Sequence, residues 1–299
     1  MTEPTALSIA EAGAALARRE LSAVELTEAY LDRIAASEPR LNEYIYVAAD
    51  EARAAAARAD RKLLRGGEPG ALCGVPLGLK DLYDVRGIAT TAGSPLLRDA
   101  IAGRDGTVAA RLRKAGAVLL GKHATHEFAW GGTTNNPHFG PTHNPHDVSR
   151  IPGGSSGGSA ASVVAGSCAG AFGTDTCGSV RIPAALCGCV GLKPTYGRIS
   201  LHRVVPLAYS LDHGGPLART VADAALLYRH MTGEADPLDS TSLGHPDGEI
   251  ALPTAERLDG VRIGVPEELA GEGVEPGVLA SFEAALRTVK GIRHAAVIS

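Results

Sequence analysis

Aromatic side chains are few in this 299-residue chain, at 4% of the total, whereas glycine occurs 37 times. Such a composition suits closely packed elements and sites walled by backbone more than by rings. Cysteine is sparse too. The five present (Cys73, Cys168, Cys177, Cys187 and Cys189) are odd in number and contain no C-x-x-C pair, which argues against a disulfide framework or a zinc knuckle. Four of them read as small buried side chains, and Cys177 is set apart by the motif around it. No run reaches the ~18 apolar residues of a membrane span; the most apolar stretch, 160–172, is interrupted by Ser162, Gly166, Ser167 and Gly170. Positive charge is not in excess either. A net charge of −4 gives no electrostatic reason to expect nucleic acid. The amino end lacks the basic-then-apolar pattern of a signal peptide. A soluble cytoplasmic protein with neither membrane nor nucleic acid as partner is the expectation.

The first sixty-odd residues read as helical. Ser8-x-x-Glu11 and Ser22-x-x-Glu25 both fit the capping box, in which serine and glutamate satisfy each other's free backbone N–H groups. Apolar residues after Ser22 (Val24, Leu26, Ala29, Tyr30, Ile34 and Ala35) keep near-helical spacing. An alanine-rich third helix runs from about Ala48 to Leu64 and ends at Gly66-Gly67. From Gly70 the texture changes to short apolar runs punctuated by glycine and proline. Strands are expected at 75–79, 117–120 and 169–173, and helices at 108–115 and 160–165. This alternation points to an α/β layered fold. Residues 135–152 read as a loop, 261–265 as a strand and 274–290 as a helix. The organisation expected is one domain: a helical segment over 1–66, a catalytic core over 67–232, a connecting loop over 233–260, and the start of an incomplete C-terminal part over 261–299.

Three segments carry chemistry. Gly74-Val75-Pro76-Leu77-Gly78-Leu79-Lys80-Asp81 places a lysine among apolar neighbours. At its ordinary pKa of ~10.4, a lysine is neutral in only about one molecule in 2,500 at pH 7. A role as base needs a fall of roughly 3 pK units, about 4 kcal/mol between its protonation states, and desolvation supplies such an effect. A nearby cation such as Arg181 would add to it. Alone, Lys80 reads more readily as a surface residue closing a strand; the two serine clusters reverse that preference. Gly173-Thr174-Asp175-Thr176-Cys177-Gly178-Ser179-Val180-Arg181 puts a serine before a helix-compatible run. There the N–H groups of Thr176, Cys177, Gly178 and Ser179 can form an oxyanion hole beside the Ser179 hydroxyl; the plainer reading is a glycine turn capping a helix. Gly153-Gly154-Ser155-Ser156-Gly157-Gly158-Ser159 satisfies G-x-S-x-G, the nucleophile elbow of α/β-hydrolases, with Asp212 and His213, His230 or His245 as conscripts for a triad. No phosphate-binding loop pattern occurs. His123-x-x-His126-Glu127 is neither H-E-x-x-H nor H-x-x-E-H, so neither a metal nor another cofactor is expected.

Together these residues resemble the amidase signature family. The likeness runs from about Leu7 to Leu269, through both serine clusters, Lys80-Asp81, the segment Cys187 to Arg198, and Gly215-Pro216-Leu217-x-Arg219-Thr220. It implies a mixed, twisted β-sheet covered by helices on both faces. It also implies Ser179 as nucleophile, Ser155 as bridging serine after a cis Gly154–Ser155 bond, and Lys80 as base. Thr176, Cys177, Gly178, Trp130 and Gly131 are the implied substrate-binding residues; the alternative for Trp130 is a core side chain beside a glycine turn. Cys177 stands where the family usually has glycine, so a changed pocket wall is expected. Family members generally extend further, and the resemblance therefore implies an exposed apolar surface and reduced stability in this chain.

The activity implied is hydrolysis of a small carboxamide to the acid and ammonia or an amine, with a homo-oligomer compatible. Three alternatives stay open. One is the A subunit of a glutamine-dependent tRNA amidotransferase, suited by Phe139 to Pro145 and Asp239 to Ser242 but not by Ser200 to Pro206. The others are an esterase of α/β-hydrolase type using Ser155, and an inactive truncated chain.

Overall fold

A computed structural model describes residues 3–66, 69–243, 262–265, 273–291 and 296–298. The chain divides into two compact units, 1–250 and 251–299.

In the first unit, both capping boxes form: Ser8 opens α1 (Ile9–Ala17) and Ser22 opens α2 (Ala23–Leu41), each with its glutamate returning to the cap. Leu26, Tyr30, Leu31 and Ile34 line the buried stripe of α2, the spacing expected of an amphipathic helix. Asn42, in left-handed conformation at φ 49°, ends it. Next comes β1 (Tyr44–Val47), a strand within the stretch expected to be wholly helical. It is only four residues long, too short for a period-two pattern to stand out from its helical flanks. Then follow α3 (Ala49–Leu64), β2 (Pro76–Lys80), α4 (Thr107–Ala115), β3 (Val118–His123), the two-residue pair β4 (Asn135–Asn136) and β5 (Gly140–Pro141), α5 (Gly157–Ala165), β6 (Gly170–Asp175), α6 (Arg181–Cys187), β7 (Val190–Gly191), β8 (His213–Ala218) and α7 (Val221–Met231).

Six strands form one mixed sheet in the order β1-β3-β2-β6-β8-β7. Its centre, β3-β2-β6, is parallel, and β1, β8 and β7 add antiparallel edges. Every residue of β2, β3 and β6 is buried, so helices cover both faces, as parallel strands require. The α/β expectation holds. The sequence reading missed β8 because His213-Gly214-Gly215-Pro216 looks like a chain-breaking run. The packing explains its glycines: a β-carbon on Gly215 would lie 2.4 Å from Leu192 O, and one on Gly214 2.9 Å from Ile199 Cγ2.

The second unit contains β9 (Arg262–Gly264), α8 (Pro276–Gly291) and β10 (Ala296–Ile298), with β9 and β10 parallel. Most of the expected connecting loop lies outside the described residues. No described helix is long and apolar enough to cross a membrane.

Candidate active site

The site is built on the adjacent parallel strands β2 and β6. Lys80, the last residue of β2, is completely buried. Its Nζ lies 2.6 Å from Ser155 Oγ and 2.8 Å from Thr174 Oγ1. Burial lowers the amine's pKa to about 7, against the opposing pull of Asp175 and Asp212. Arg181, expected to help depress it, instead forms an ion pair with Asp175 at 2.8 Å. Desolvation alone therefore carries the shift. Strand β2 also depends on Gly78, where a β-carbon would sit 2.1 Å from the His123 ring.

Ser155 follows a cis peptide bond to Gly154. The turn around it is fastened on three sides. Thr134 Oγ1 donates to Gly153 O at 2.8 Å and accepts from Gly157 N at 3.0 Å. His126 N donates to Ser155 O at 3.2 Å. Ser156 Oγ donates to Thr174 O and accepts from Thr174 N, at 3.2 and 3.3 Å, while Ser156 N donates to Ser179 O at 3.2 Å. Gly154 cannot be larger, because a β-carbon would meet Thr133 N and Thr134 N at 2.8 Å.

Ser179 lies on the turn between β6 and α6 and is 9% exposed. Asp175 shapes that turn. Its fully buried carboxylate accepts from the N–H groups of Gly178 (2.7 Å), Val180 (3.1 Å) and Arg181 (3.3 Å) and from the Arg181 guanidinium. Burial pushes its pKa up, but these donors outweigh it and hold the carboxyl below its ordinary value. This corrects one part of the expected oxyanion hole. The Gly178 amide is committed to Asp175, as are those opening the short α6. Among the described residues, the N–H groups of Thr176, Cys177 and Ser179 donate to no protein acceptor, and Ser179 Oγ has no hydrogen-bond partner. The Lys80–Ser155 contact is thus formed, whereas a direct Ser155–Ser179 hydroxyl bond is not.

A sequence model of the amidase family matches residues 25–298. The chain belongs to the amidase family. Over 284 residues it is 49% identical to the A subunit of the glutamyl-tRNA(Gln) amidotransferase of Anaeromyxobacter dehalogenans (strain 2CP-C), covering 95% of this chain and 58% of that protein. It thus spans less than two thirds of the length of this relative. Among solved structures it is similar, at TM-score 0.91 and 39% identity, to a chain from a vestigial protein complex described as revealing the evolutionary origins of an s-triazine catabolic enzyme; 97% of this chain and 64% of that one are covered. The peptide amidase of Stenotrophomonas maltophilia matches at TM-score 0.83 and 37% identity, over 97% of this chain and 61% of its own.

This amidase-family fold also places the remaining candidates. Cys177 is exposed on the turn beside Ser179. Trp130 is 77% exposed, so the core alternative fails. Gly131 packs against His126, whose ring would lie 2.5 Å from a β-carbon there. His126 N in turn holds Ser155 O, so the Trp130–Gly131 loop adjoins the serine turn without contacting a hydroxyl. His123 is buried between Ser159 and Ser162, and burial drives its pKa down to about 3. His143 and His146 bond the carbonyls of Val148 and Cys187, and no metal-holding cluster occurs among the described residues.

The nucleophile-elbow alternative fails on geometry. No strand leads into Ser155, and its hydroxyl faces a lysine. His213 bonds Leu211 O at 2.6 Å and His230 bonds Leu226 O at 2.9 Å; His245 lies outside the described residues. The roles of Thr174 and Asp175, although both stand in the quoted motif, had no signal separating them from turn residues. Asp212 entered only as an acid for that failed triad.

Proposed function

We propose that this chain hydrolyses a carboxylic acid amide through a covalent acyl-enzyme. The neutral Lys80 amine accepts a proton from Ser155 Oγ. Ser155 takes one from Ser179 Oγ as that oxygen attacks the amide carbon. The relay then reverses: Lys80 returns its proton through Ser155 to the leaving nitrogen as the C–N bond breaks. Water, deprotonated along the same route, hydrolyses the Ser179 ester and releases the acid. The free N–H groups of Thr176, Cys177 and Ser179 are the proposed donors to the oxyanion, each typically worth ~3 kcal/mol of barrier. One observation carries this reading: a buried amine, with a pKa of about 7, meets the Ser155 hydroxyl at 2.6 Å and has no carboxylate in contact.

Labelling with a fluorophosphonate followed by peptide mapping tests the assignment. Modification at Ser179 is expected, and modification at Ser155 alone overturns it. Ammonia release from aliphatic, aryl and amino-acid amides tests the substrate class. The acyl group is proposed to be small.

The 49% identity to the A component of an amidotransferase favours a second reading of the same chemistry, in which the released ammonia passes to a partner protein. Release of ammonia from simple amides by the isolated chain supports the free amidase. Turnover only alongside copurifying partner proteins supports the second reading. No turnover in either setting supports an inactive chain.

A further inference from the structure

Asp212 is a buried carboxylate that the proposed chemistry leaves without a task. It stands just before β8, next to the β6 end that carries Asp175 and the Ser179 turn. Its Oδ1 accepts from Thr176 Oγ1 at 2.6 Å, and its two oxygens accept from Leu207 N (2.8 Å) and Ala208 N (3.1 and 3.0 Å). The carboxylate therefore clamps the 207–212 turn to Thr176, one of the residues with a free N–H beside Ser179. Buried hydrogen bonds to a charged acceptor are stronger than neutral ones and hold geometry closely.

We infer that Asp212 is a positioning residue: it fixes the Thr176 end of the oxyanion loop through the Thr176 hydroxyl. This inference rests on the function proposed above.

The test follows the rate of fluorophosphonate labelling at Ser179 against pH in the full chain, for wild type, Thr176→Val, Thr176→Ser and Asp212→Asn. Thr176→Val removes the hydroxyl contact and is expected to slow labelling roughly 10-fold with an unchanged pH midpoint. Thr176→Ser keeps the hydroxyl and is expected to restore the wild-type rate. Asp212→Asn, which weakens the same contact, is expected to slow labelling likewise. A wild-type rate in Thr176→Val or in Asp212→Asn overturns the clamp, as does an equal loss in Thr176→Ser. If Asp212→Asn does not fold, the two Thr176 variants decide. Wild-type protein that is never labelled at Ser179 overturns the proposed function and this inference with it; labelling that ignores all three substitutions overturns the inference alone.

Discussion

Two lysines lie buried on neighbouring strands of the sheet. Lys80 closes β2 and Lys122 sits in β3, where it pairs in register with Leu79 while Lys80 pairs with His123. Neither side chain reaches solvent. Lys122 meets the carboxylate of Asp81 at 2.6 Å, with Thr90 Oγ1 and Ala89 O at 3.2 and 3.3 Å. Asp81 in turn accepts from Thr91 N at 3.0 Å and from the Thr91 hydroxyl. Lys80 meets two hydroxyls and no acid. In the sequence Asp81 adjoins Lys80, yet it pairs with the other lysine. Successive residues along an extended chain point to opposite faces, so Asp81 serves the far side of the sheet. Burial is common to both amines; the counter-ion separates the one in an ion pair from the one proposed as a base.

Removing the amines separates these roles. Lys80→Ala should lower kcat by roughly 10²–10⁴-fold, the range for a lost general base, with little change in KM; steady-state rates on an accepted amide check this, and near-normal turnover at neutral pH rules the base out. Lys122→Met should instead show in stability. It leaves the buried Asp81 carboxylate without its cation, a loss of about 3–5 kcal/mol, measured as a fall in the urea midpoint.

The pH dependence of stability sharpens the same contrast. In the unfolded chain Lys80 titrates near its ordinary ~10.4, and in the fold at about 7. Between those values the unfolded state binds the extra proton, so stability from this group rises with pH from about 7 to about 10 and is flat below. The span is on the order of 4 kcal/mol. Lys80→Met should erase that rise, so that the difference from wild type is largest in acid and shrinks toward pH 10. An unchanged difference across this range contradicts the depressed pKa. The smallest effect is expected from Thr174→Val, which removes one hydrogen bond to Lys80 and should slow turnover by about 10-fold or less.

The residues show how far local pattern reaches. The capping boxes at Ser8 and Ser22 were legible because both partners lie three residues apart. Lys80, Ser155 and Ser179 stood out as ordered motifs, although the pairing of β2 with β6 is what sets Lys80 beside Thr174, and the Ser156–Thr174 bonds are what tie the Ser155 turn to that strand. Strand β8 was not legible, since its glycines answer to Leu192 and Ile199 across the fold. The loss of Gly178 from the expected oxyanion donors was hidden for a related reason. It depends on the Asp175 carboxylate turning back onto the following amides, a side-chain direction that no spacing records. Trp130, the chain's single tryptophan, turned outward against the ordinary preference for burial.

The most direct test is a titration of the Lys80 side chain itself, followed by the NMR shift of its carbon-labelled ε-position and assigned with Lys80→Arg. A midpoint near 7 in the folded protein is the predicted result. A midpoint above about 9, close to that of an ordinary solvated lysine, would contradict the account.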